Sequence, residues 1–172
     1  GDDHRTGLVI CPGGGYPPLS PREGELMALR FASRGVSCFV LNYHLDPHRY
    51  PTQLHDAAQA IAHVRQHAAE YHIQPDRIAI MGFSAGGMLA SNCATHFDPG
   101  DPCAADPVER QSCRPDGAVL GYGAFAFCGL PGGMFTDPFA DKTQNPFVAN
   151  KKELIFFAPE VNIRPDSPPF FI

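Results

Sequence analysis

Apolar residues along this chain follow two alternating rhythms. Short unbroken runs such as Thr6-Gly7-Leu8-Val9-Ile10-Cys11 and Arg77-Ile78-Ala79-Ile80-Met81 have the character of strands buried on both faces. Between them the spacing turns helical. Leu54, Ala57, Ala58, Ile61, Val64 and Ala68 fall on one apolar stripe of a helix that covers a sheet. Ser20-Pro21-Arg22-Glu23 places a serine at N-cap, a proline at N1 and a glutamate at N3, a capping box. It predicts a helix to about Ser33 with Gly35 as its stop. A third helix is predicted from Ala85 to near His96, ahead of Asp98-Pro99-Gly100-Asp101-Pro102. The order is strand, helix, strand, helix, strand, helix, strand, long loop, strand. That alternation predicts an α/β fold, a mostly parallel sheet with helices on both faces. From 122 to 165 the rhythm is lost. Phe125, Phe127, Phe135, Phe139 and Phe147 occur there in no clear period, and so many phenylalanines argue against a solvated loop.

The ends of two predicted strands carry the chemistry. After Met81 comes Gly82-Phe83-Ser84-Ala85-Gly86-Gly87, a G-x-S-x-G motif in the strand–turn–helix context that such a nucleophile elbow requires. The serine must sit in a strained conformation with its hydroxyl exposed, and only very small neighbours let strand and helix approach. The Ala85 N–H, at the helix start, then points to where an oxyanion would form. After Cys11 comes Pro12-Gly13-Gly14-Gly15-Tyr16. A triple glycine after a strand offers bare N–H groups to an anion, so Gly14 and Gly15 join Ala85 as candidate oxyanion donors. Tyr16 and His44 are candidate pocket residues.

With P-G-G-G-Y and G-F-S-A-G-G at this spacing, the chain resembles the α/β-hydrolase superfamily, in its acetyl esterase or acetylxylan-esterase-like branch. Further segments carry the likeness: Phe39-Val40-Leu41-Asn42-Tyr43-His44-Leu45, similar to the family's strand ending in Tyr-Arg-Leu, with His44 where the family has arginine; Pro51 to Ile73 with Gln74-Pro75-Asp76-Arg77-Ile78; Arg114 to Leu120; and Ser167 to Ile172. Pro12 stands where many lipases have a histidine. The resemblance implies an α/β-hydrolase fold, here incomplete at both ends, with a cap-like insertion at about 122–165 lining the acyl or alcohol pocket. It implies a serine carboxylic-ester hydrolase in which Ser84 attacks short acyl esters, acetyl esters on carbohydrates among them. It also implies that the triad Asp and His lie beyond Ile172, because the chain has no histidine after His96. No metal or organic cofactor is needed for this chemistry.

The other histidines offer little. His96 is separated from Ser84 by about 18 Å of helix and suits a helix C-terminal cation. His55, His63, His67 and His72 read as solvated. His44 and His48 follow a strand two places from that of Ser84, about 9–10 Å away, and suit pocket lining better than a surrogate base. Asp56 suits helix-dipole or loop bonding.

Length and charge narrow the partners. The 172 residues are 44% hydrophobic, enough for one domain spanning 1–172. A net charge of −5 argues against nucleic acid and anionic membrane surfaces, no stretch approaches a membrane span, and the opening Gly-Asp-Asp-His-Arg does not resemble a signal peptide. A small-molecule ester and a cytoplasmic location are the expectation. Of six cysteines, Cys11, Cys38 and Cys93 read as buried; Cys103 and Cys113 would form a disulfide only in a secreted protein, and free thiols are favoured. Two alternatives stay open: a catalytically incomplete hydrolase fold that only binds, and a serine peptidase or formamidase.

Overall fold

The computed structural model describes residues 5–14, 18–123, 125 and 151–172. Among them the elements run β1 (Arg5–Cys11), α1 (Glu25–Ala32), β2 (Ser37–Val40), α2 (Thr52–Gln66), β3 (Ile73–Phe83), α3 (Ala85–Cys93), β4 (Gly117–Gly121), α4 (Lys151–Phe156), α5 (Pro159–Asn162) and β5 (Phe170–Phe171). The strands form one sheet in the order β2-β1-β3-β4-β5, and every pairing is parallel. Each parallel neighbour needs a crossover, and the helices supply it.

Side chains leave successive strand positions on opposite faces, so each central strand feeds two cores. Val9, Cys11, Ile78 and Ile80 pack with α2 and α3 on one face. Leu8, Ile10 and Met81 pack on the other with Met27, Ala28 and Phe31 of α1. Helix α3 is buried from Gly86 to Cys93, as expected of a helix with small and apolar residues all round. An arginine ties this face together. Arg65 near the end of α2 donates to the carbonyls of Pro75, Ser112 and Arg114 and to the Asp116 carboxylate. Asp116 in turn accepts from the Ile78 N–H at 2.9 Å. One nearly buried guanidinium thus fixes the start of β3 and the lead-in to β4 against α2.

Register places the chemistry. Cys11 lies opposite Gly82, and Phe83 opposite Gly121. The chains leaving β1, β3 and β4 therefore emerge side by side at the carboxyl edge of the sheet, where ligands bind in open α/β sheets.

Four expectations need correction. Helix α1 starts at Glu25, with Gly24 as its N-cap and no side-chain cap bond. Ser20 instead opens a turn, its carbonyl accepting from Glu23 and Gly24, so the expected capping box does not form because Glu23 bonds elsewhere. Strand β2 ends at Val40, short of the expected Leu45. Helix α3 ends at Cys93. His96, expected as a cation, has its pKa lowered by burial first and by the Arg164 charge in addition, and its ring packs against Phe156 at 4.5 Å. In the expected cap, α4 and α5 are regular helices and Phe125 packs against the core. Phe127, Phe135, Phe139 and Phe147 lie outside the described residues. Cys11, Cys38, Cys93, Cys103 and Cys113 are free thiols. Burial pushes the Cys11 pKa up to about 12, which leaves it an inert apolar side chain.

Candidate active site

Ser84 joins β3 to α3 with φ 51° and ψ −119°. A non-glycine residue at positive φ is strained by about 1–3 kcal/mol and persists only where its surroundings force it. The surroundings here are backbone. A Cβ on Gly82 would stand 2.0 Å from the Gly86 carbonyl oxygen, and one on Gly86 would stand 2.0 Å from that of Cys11. Strand, helix and the end of β1 are in contact at those two positions, and no side chain fits. The Ser84 N–H donates to the Gly121 carbonyl at 3.0 Å, tying the turn to the end of β4. Ser84 is exposed although its neighbours Gly82, Gly86 and Gly87 are buried. Ala85 is the first residue of α3, where an N–H has no partner within the helix and the helix dipole favours negative charge.

The loop after β1 lies against this turn. A Cβ on Gly13 would meet the Ser84 Cβ at 2.9 Å and the Phe83 carbonyl oxygen at 2.5 Å. Gly14 has φ 136°, a conformation glycine adopts freely. Three side-chain or backbone groups fasten the loop. The Tyr43 hydroxyl donates to the Pro12 carbonyl at 2.7 Å, Ser20 N–H donates to the Gly13 carbonyl at 2.8 Å, and the Gly13 N–H donates to the Glu23 carboxylate at 2.7 Å. The Gly13 N–H is thus spent on Glu23, and Gly14 is the next described residue of the loop. Gly15 and Tyr16 lie outside the described residues.

His44 stands elsewhere. Its backbone N–H and its Nδ1 both bond the Asp56 carboxylate, at 2.8 and 2.9 Å, and its ring meets His48 edge-on at 4.7 Å. This is the loop bonding expected of Asp56. His44 and Asp56 wall a cavity of about 380 Å³ together with Phe39, Leu41 and Gln59, and Ser84 is not among its walls. Among the described residues the Ser84 hydroxyl bonds no histidine, and no helix is long and apolar enough to cross a membrane.

A family model, BD-FAE, matches residues 5–172. The chain belongs to the BD-FAE family. Its fold is that of the α/β hydrolases. It superimposes with a TM-score of 0.86 and 36% identity on the crystal structure of an acetyl ester-xyloside bifunctional hydrolase from Caldicellulosiruptor lactoaceticus, over 98% of this chain and 60% of that one. It is 32% identical to a probable carboxylic ester hydrolase, LipM, of Mycobacterium tuberculosis, over 96% of this chain and 39% of that protein. It is 35% identical to endo-1,4-beta-xylanase B of Butyrivibrio fibrisolvens, over 99% of this chain and 27% of that protein. The BD-FAE chain thus spans about a quarter to three fifths of the length of these relatives.

Three residues of this geometry escape a sequence reading. Glu23 carries a local helix signal that hides its bond to Gly13. Tyr43 and Tyr122 act on residues 31 and 99 positions away, and nothing local marks either.

Proposed function

We propose that this chain carries the nucleophile of a serine esterase that cleaves short acyl esters, acetyl groups on carbohydrate among them. The observation that carries the proposal is Ser84: exposed, held at positive φ by backbone contact, at the N-terminus of α3 and against a glycine loop. The likeness to LipM, a probable carboxylic ester hydrolase, supports the ester bond, and the likeness to the acetyl ester-xyloside hydrolase of Caldicellulosiruptor lactoaceticus supports a carbohydrate ester.

In this reading the Ser84 Oγ attacks the acyl carbon. Negative charge moves to the carbonyl oxygen, where the Ala85 and Gly14 N–H groups receive it; one such donor is worth about 10²–10³ in kcat. The tetrahedral intermediate collapses to a Ser84 ester and expels the alcohol with the proton taken from Ser84. Water then attacks the acyl-enzyme, releasing the carboxylic acid and restoring the serine. A base must accept and return that proton. His44, committed to Asp56, is not bonded to Ser84, so this reading assigns the base and its acidic partner to residues outside this sequence.

The test compares full-length wild type with Ser84→Ala on p-nitrophenyl acetate and an acetylated xylo-oligosaccharide. We expect a loss of about 10⁴-fold or more in kcat. Full activity in the Ser84→Ala protein would sink the proposal. A fluorophosphonate that fails to label Ser84 in well-folded protein would favour the binding-only alternative, and faster cleavage of a matched amide would favour the peptidase or formamidase class.

A further inference from the structure

We infer that Glu23 is a positioning residue of this site, whose carboxylate clamps the loop after β1 to the segment after β4 and so sets where the loop N–H groups stand. The inference rests on the serine-esterase reading above.

Both oxygens of the carboxylate are used. Oε2 accepts from the Gly13 N–H at 2.7 Å, and Oε1 accepts from the Tyr122 hydroxyl at 2.7 Å. Tyr122 directly follows Gly121, the last residue of β4, and Gly121 accepts the N–H of Ser84. Gly13 lies against the Ser84 side chain: a Cβ built on Gly13 would be 2.7 Å from Glu23 Oε2 and 2.9 Å from the Ser84 Cβ. The contacts close a ring, from Ser84 to Gly121, Tyr122, Glu23, Gly13 and back to Ser84. Every joint is a hydrogen bond, a peptide bond or backbone contact. Opening it at Glu23 releases Gly13, and with it Gly14, from a fixed distance to the nucleophile.

Tyr122 supports this on its own account. It holds φ 37°, a conformation unfavourable for a bulky side chain. Its ring is largely exposed yet lies 5.6 Å from that of Phe83. Little burial holds it there; the bond to Glu23 does. The same bond, first among the causes, raises the Tyr122 pKa, so the phenol keeps the proton it donates. With both oxygens occupied by donors, Glu23 acts through Gly13 rather than on the substrate.

Glutamine can replace this clamp. Its amide oxygen accepts from Gly13 and its NH₂ reaches the phenol oxygen. Full-length wild type, Ser84→Ala, Glu23→Ala, Glu23→Gln and Tyr122→Phe are compared on p-nitrophenyl acetate, with kcat and KM resolved and thermal melts run alongside. We expect Glu23→Ala to lower kcat about 10- to 100-fold, less than outright loss of an oxyanion donor, with KM within about twofold. We expect Glu23→Gln to stay within about threefold of wild type, because the bonds and not the charge are required. Tyr122→Phe, which keeps the Gly13 bond, should lose about threefold to tenfold. If Glu23→Ala unfolds, the glutamine and phenylalanine variants carry the test. Wild-type kcat in Glu23→Ala, a Glu23→Gln protein slowed about 10-fold or more, or an effect confined to KM overturns the inference. A Ser84-dependent esterase indifferent to Glu23 sinks this inference alone; an inert wild type, or a Ser84→Ala protein with full activity, sinks the esterase reading and this inference together.

Discussion

The turn after β3 and the loop after β1 leave the sheet side by side, and they are built by opposite means. The turn is held by exclusion. Gly82 and Gly86 sit within five residues of one another, and at each the next backbone comes so close that no side chain can enter. The loop is held by attachment. Tyr43, Ser20 and Glu23 reach in from neighbouring segments to fix Pro12 and Gly13, and Tyr122 braces Glu23 in turn. The difference has a consequence for tolerance. A backbone contact has no slack, because interiors pack like crystals and strain passes on directly. A tethered loop loses one bond at a time and can shift by fractions of an ångström. The turn should therefore fail in stability first, and the loop in catalysis first.

The strongest way to break that comparison is Gly86→Ala. The new methyl would overlap the carbonyl oxygens of Cys11 and Pro12, at 2.0 and 2.6 Å, and both are backbone atoms at the core. We expect a loss of about 4 kcal/mol or more, at the severe end for a point substitution, seen as a large fall in melting temperature together with lost activity. A melting temperature unchanged from wild type would mean that strand and helix are not in contact there. Gly14→Ala is the matching change in the loop. Its Cβ would meet the Pro18 carbonyl at 2.3 Å with φ at 136°, a clash within the loop itself and not between strand and helix. The expected stability cost is about 1–3 kcal/mol, while kcat falls about 10²–10³-fold as the N–H leaves its place. The comparison fails if Gly14→Ala melts like Gly86→Ala and loses no more activity than that melting explains.

The same division decided what could be read from the chain. The turn was legible because its causes are local: the glycines, the serine and the flanking strand and helix occupy consecutive positions, and the period of the apolar residues changes there. The parallel sheet was legible for the same reason, from runs such as Leu8 to Cys11 alternating with the α2 stripe. The loop was legible only as a glycine run. Glu23 stood in a sequence that satisfies a capping box, and the local signal lost to a tertiary one, since the carboxylate gains a charge-assisted bond to Gly13 and a second from Tyr122. The end of β2 was placed too late because the likeness to the family's strand runs on to Leu45, yet His44 bonds Asp56 through its backbone N–H and its ring. Ser84 joins β3 to α3, Ala85 opens α3, and Gly14 has φ 136°. His44 does not join them, for its ring is held by Asp56.

Tyr43→Phe sharpens the comparison at smaller scale, because it removes one tether and almost no volume. Its hydroxyl donates to the carbonyl of Pro12, a residue buried at the junction of β1 and the loop. Losing one buried donor costs about 1–3 kcal/mol. If the loop is held by attachment, kcat should fall by about threefold to tenfold, with KM little changed. A stability loss with unaltered kcat would place Tyr43 in the core alone.

The smallest effect expected concerns the far end of α3, and it separates a histidine of the fold from any histidine of the site. His96 lies beyond Cys93, its Nδ1 near the Asn92 carbonyl at 3.2 Å, and its pKa is lowered from 6.5, by burial first and by the Arg164 charge in addition. The unfolded chain then takes up a proton at a higher pH than the folded chain. Stability linked to His96 is therefore level above about pH 6.5 and falls as the pH drops below it, until the folded ring also protonates. In a His96→Gln protein this component disappears. Chemical denaturation across pH 5 to 8 should show wild type losing ground to the variant on the acid side, while the ratio of their kcat values on a short acyl ester stays constant with pH. Parallel stability curves would mean that burial does not govern the ring. A pH-dependent kcat ratio would mean that the far end of α3 is coupled to Ser84, and the turn would then be held by more than the backbone contacts around it.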